Sequence, residues 1–244
     1  MMDKESLEFL RDQAVNGAEK AIQVDDKGRE FIVGDNVHHY TPNDMPEAIE
    51  TSTLSSVVNF VKRVKDAGSR GQLLVQVVSP KQVIVKSALD EYGRRAEFML
   101  AEPTFEGFRF DKWYDRESLN IALQSQFVPT DDRASLLKFI GNYKEATENT
   151  ASDDGVMQTA TVQTGAANVD TVKVPNPVLL APYRTFTEVE QPQSEFIFRM
   201  QQGMQGGLFE ADAGAWRSVA IESIKEYFNT AFVDLKPETV VVLG

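Results

Sequence analysis

The chain has 244 residues, no cysteine, and 37 acidic against 25 basic side chains, for a net charge of −12. That length suffices for a sizeable buried core, and the 42% hydrophobic, 25% charged balance excludes a disordered chain. Without cysteine there are no disulfides, thiolate metal sites, iron–sulfur clusters or cysteine nucleophile, which suits a reducing cytoplasm.

The charge is uneven. Residues 145–244 carry 14 acids and 6 bases, residues 1–144 carry 23 and 19. Nucleic-acid binding draws its affinity from clustered Lys and Arg, so a nucleic-acid partner is disfavoured. Lys62, Arg63, Lys65 and Arg70, with the pair Arg94/Arg95, are the places where a local basic face would lie. A solvated helix face and strand-end charges are the more ordinary reading of both.

In chain order, residues 4–22 read as an amphipathic helix, with Leu7, Leu10, Ala14, Ala18, Ala21 and Ile22 recurring at three and four. Its apolar face is thin and Ala-rich, which makes Leu7 and Leu10 candidates for contact with the body or a second subunit. Its acidic start, MMDKESLEFLRDQ, is unlike a signal peptide, and no stretch approaches the roughly 20 apolar residues of a membrane span. A short strand is expected around Phe31–Val33, then a loop punctuated by Gly28, Gly34 and two prolines.

A firmer helix follows, capped from Thr51, Ser52 or Thr53, striped by Leu54, Val57, Val58, Val61 and Val64, and closed by Gly68. QLLVQVV and VIVKSAL flank a Pro-containing turn as a hairpin, and RRAEFMLAE adds a third strand, giving a β-meander over 72–102. The stretch Arg94–Phe127 is then dense in aromatic rings, and each ring contributes most when packed. Asp115 or Ser118 starts a helix running to Phe127, and a second helix over about 131–147 carries Leu136, Leu137, Ile140 and Tyr143 after its acidic start.

ENTASDDG, residues 148–155, is a breaker, and strand-like Thr/Val-rich segments follow: VMQTATVQT, VDTVKV, VLLAPYRTFTEVE and SEFIFRMQ. Gly203 to Gly207 reads as a turn or flexible loop. A last helix over about 214–229 is striped by Trp216, Val219, Ala220, Ile224, Tyr227 and Phe228, and VVVL at 240–243 is placed to complete a sheet. The expectation is an α+β fold, with an antiparallel β-meander and a β-rich C-terminal section flanked by amphipathic helices. Residues 1–150 and 151–244 form two parts that share one core.

The order LAEPTFEGFRFDKWYDRESLNIALQSQF, DDGVMQTATVQTGAA, VPNPVLLAPYRTFTEVEQPQSEFIFRM and GGLFEADAGAW resembles the YfdQ-like family of phage and prophage proteins, from about residue 72 to 230. The resemblance implies a phage or prophage origin and the host bacterial cytoplasm. It supplies no catalytic or binding residues, and the residues before about 50 are less family-like.

Chemistry-bearing candidates are sparse. His38 and His39 adjoin Tyr40 and Asp44, but adjacent residues of a strand point apart and no third ligand is suitably spaced. The pairs Asp25/Asp26, Asp131/Asp132 and Asp153/Asp154 sit at turns or helix starts, where Asp caps and solvates, without a Ca²⁺-loop pattern. No G-x-S-x-G elbow or P-loop is present, so no catalytic residue, metal or cofactor is assigned. Glu106 to Trp113 faintly echoes a base-stacking sheet motif, with Glu106 in place of a basic residue, Arg109 of a small one and Asp111 of an apolar one.

Arg94, Arg95, Phe108, Phe110, Trp113 and Tyr114 are therefore the ligand or interface candidates, an aromatic core or subunit contact being the more ordinary role for the rings. The leading expectation is a non-catalytic accessory protein that forms a homo-oligomer. A binder that sequesters a host defence protein or small nucleotide is second. A carboxylate or metal-dependent enzyme is third, because no base, nucleophile and stabiliser can be named together.

Overall fold

The computed structural model describes the chain apart from residues 1–3, 26–29, 34–36, 40–44, 67–70, 91–92, 143–158, 165–167, 175 and 237. The first elements are α1 (Lys4–Ala21), β1 (Ile22–Val24), β2 (Glu30–Val33), β3 (Val37–His39), β4 (Ile49–Thr51) and α2 (Leu54–Asp66). Then come β5 (Leu73–Ser79), β6 (Gln82–Ser87), β7 (Glu97–Ala101), β8 (Trp113–Asp115), α3 (Arg116–Ser125) and α4 (Asp131–Asn142). The last are β9 (Thr159–Thr164), β10 (Asn168–Lys173), β11 (Val178–Leu180), β12 (Ser194–Gln201), β13 (Gln205–Glu210), α5 (Trp216–Ala231) and β14 (Val240–Leu243). The fold is α+β, as its two principal sheets are mostly antiparallel.

One of these has the order β14-β5-β6-β7-β4. Strict alternation builds its inner face: Leu73, Val75 and Val77 of β5 are buried, as are Val83 and Val85 of β6 and Met99 and Ala101 of β7. Leu54, Val57 and Val61 of α2 and Ile224, Phe228 and Phe232 from α5 and its end close over that face in one cluster. The meander is as expected, but both edges are parallel additions, β4 on β7 and β14 on β5.

The other has the order β11-β12-β13-β8. Phe196, Phe198 and Met200 of β12 alternate inward, where they meet Leu119 and Leu123 of α3 and Leu136, Phe139 and Ile140 of α4. Asp115 caps α3, its Oδ1 accepting Ser118 N–H at 2.9 Å. Each core cluster draws elements from both sides of residue 150.

Gly206 and Gly207 lie within β13, where the sequence suggested a loop. The turn is at Gly203, with φ +79°, and the next two glycines serve close packing. A Cβ on Gly206 would lie 2.5 Å from Leu119 Cδ2, and one on Gly207 3.0 Å from the Lys112 carbonyl oxygen. The long segment from Val178 is a strand for only three residues before it turns irregular.

β1, β2 and β3 form a small antiparallel sheet beside α1, with Ile32 opposite both Ile22 and His38. Only β2 was legible, since three-residue strands show no alternation. β9 and β10 form a separate hairpin. The breaker at 148–155, residues 143–147, Gly28, Gly34, Tyr40, Asp44, Gly68, Arg70, Asp26, Asp153 and Asp154 lie outside the described residues.

Candidate functional site

Of the six ligand or interface candidates, Phe108, Phe110 and Tyr114 come together in one ring cluster, whereas Arg94 and Arg95 lie in a connection of the other sheet. Phe108 is buried, with its ring 5.0 Å from Phe110, 5.0 Å from Tyr114 and 5.2 Å from Phe127. Phe110 stacks on Phe196 at 4.9 Å, and the Tyr114 hydroxyl donates to the Arg109 carbonyl at 2.8 Å. Phe108 is a member of the core cluster and Phe110, half-buried, packs against it. Trp113 differs: it is 42% exposed, with its ring edge-on to Phe209 at 5.5 Å.

Arg94 and Arg95 lie between β6 and β7. Arg94 Nε donates to Asp90 Oδ2 at 3.0 Å, its backbone N–H donates to Asp90 Oδ1 at 2.8 Å, and Arg95 Nη1 donates to the Ser87 carbonyl at 2.7 Å. Both guanidinium groups hold the β6–β7 connection in place.

The most concentrated polar constellation is one that sequence reasoning passed over. Arg184 sits between β11 and β12, 4% exposed. Its Nη1 donates to Glu210 at 3.2 Å, and its Nη2 donates to the Pro192 carbonyl at 3.2 Å and to Ser194 Oγ. The guanidinium carbon stands 4.0 Å from the Trp216 ring centre, and that of Arg217 stands 5.0 Å from it. Burial pushes the Arg184 pKa down to about 10, with Asp212 and then Glu210 opposing the shift, so the group stays charged at neutral pH.

The surrounding segment fastens the two cores together. Gln191 Oε1 accepts the backbone N–H groups of Arg184 and Thr185 at 2.9 and 3.2 Å, while Thr185 Oγ1 donates to the Pro80 carbonyl at 2.6 Å. Phe186 enters the core under the five-stranded sheet, and Glu188 Oε1 accepts Leu54 N–H at 2.8 Å at the start of α2. The single sequence signal was one Arg between prolines in an acidic section with few bases. Its Nη1 and Nη2 are held by fixed acceptors while its buried Nε, like Nε1 of Trp216, has no hydrogen-bond partner among the described residues, and the contacts that are made join the β11–β12 connection to β12, β13 and α5.

Apolar surface is the remaining feature. Leu7, Phe9 and Leu10 of α1 are 55%, 63% and 52% exposed. Among the described residues, β14 pairs with β5 alone, and a groove of about 360 Å³ lies between its Val240–Val242 segment and Asn229, Phe232, Val233, Leu235 and Lys236. Val233 is 76% exposed and Leu243 48%.

No family model, curated protein or solved structure matches this chain.

Among the described residues no helix is long and apolar enough to cross a membrane. His38 and His39 are neighbours on β3, paired with Ile32 and Phe31 across the ladder. Asp132 Oδ2 accepts Leu179 N–H at 2.8 Å, joining α4 to β11.

Proposed function

We propose that the chain is a non-catalytic accessory protein of phage or prophage origin that acts by self-assembly in the host bacterial cytoplasm. The observation that carries this reading is the apolar surface around β14, whose one edge is unpaired among the described residues. Exposed strand edges and clustered apolar side chains favour association. The outward Leu7, Phe9 and Leu10 of α1 add a second apolar surface. The order of motifs resembling YfdQ-like proteins supports the origin.

The test is the absolute mass of the purified chain by light scattering across a wide concentration range, with native mass spectrometry for retained ligands. A discrete multiple of 27.2 kDa without ligand is the expected result. A mass of 27.2 kDa at every concentration overturns self-assembly. A retained nucleotide redirects the reading to a sequestering binder, and a retained divalent ion to an enzyme.

A further inference from the structure

We draw no further inference here: the strongest candidate, the apolar groove between β14 and the end of α5, carries nothing because nothing in the structure shows what covers it.

Discussion

Arg184 and Trp216 are stacked with 4.0 Å between guanidinium carbon and ring centre, which ties the β11–β12 connection to the first residue of α5. The connection that carries Arg184 links two strands of the sheet under α3 and α4, and α5 closes the five-stranded sheet. A buried cation between them must be matched by fixed acceptors, and Glu210, Ser194 and the Pro192 carbonyl supply these.

Arg184→Lys is therefore expected to destabilise the fold by roughly 3 kcal/mol, because an ammonium cannot reproduce the planar fork and the stack. Arg184→Met is expected to cost less, since it removes the buried charge and Glu210 keeps partial access to water. Urea unfolding of the three proteins decides it. Equal stability of the Lys variant and the wild type refutes the joint.

Gly206→Ala is expected to cost about 1–3 kcal/mol through overpacking, because its Cβ would lie 2.5 Å from Leu119 Cδ2 and 3.0 Å from Met200 Sδ. Coupling identifies the cause: Leu119→Ala in the same chain should recover part of the loss, so the double variant is more stable than the sum of the single changes predicts. Additive losses in denaturant melts would assign the glycine some other role.

Legibility in the sequence followed the range of the interaction. The alternation of Leu73, Val75 and Val77 and the spacing of Leu54, Val57 and Val61 are local patterns, and both elements were readable from them. Asp115 was readable as a cap because its partner is three residues away. β14 was readable as a strand from VVVL at 240–243, but its parallel pairing with β5 was not, and β4, three residues long and paired with the distant β7, left no periodic signal. Gly206 and Gly207 followed the usual preference of glycine for turns until packing against Leu119 and Lys112 placed them in a strand. Arg184 gave no spacing signal at all, because its acceptors come from Pro192, Ser194 and Glu210 through tertiary folding.

The cap at Asp115 predicts an acid-limb dependence. Hydrogen bonds from the Ser118 side chain and then the Ser118 backbone hold this carboxyl below its usual value of 3.8. A depressed carboxylate contributes stability that is present above the unfolded value and is lost as pH falls through the folded one. Asp115→Asn keeps an acceptor and cannot titrate, so its melting temperature should fall less steeply than the wild type's below pH 3.8. Parallel acid limbs in a calorimetric series would contradict this.

At the other end of the pH scale, Tyr227 reports on Glu188. Burial, and secondarily the Glu188 charge, raise the Tyr227 phenol above 10.0. Because the folded state then holds the proton more tightly than the unfolded state, this group's contribution to stability declines as pH rises above 10.0. Glu188→Gln removes the secondary cause and should shift Tyr227 titration part of the way back, as followed by the ring resonances. The same change weakens the acceptor of Leu54 N–H at the positive end of α2, with an expected cost of about 1 kcal/mol at neutral pH. A Tyr227 titration unmoved by Glu188→Gln would show that burial alone sets it. Loss of stability without that shift would leave Glu188 as a cap for α2 and nothing more.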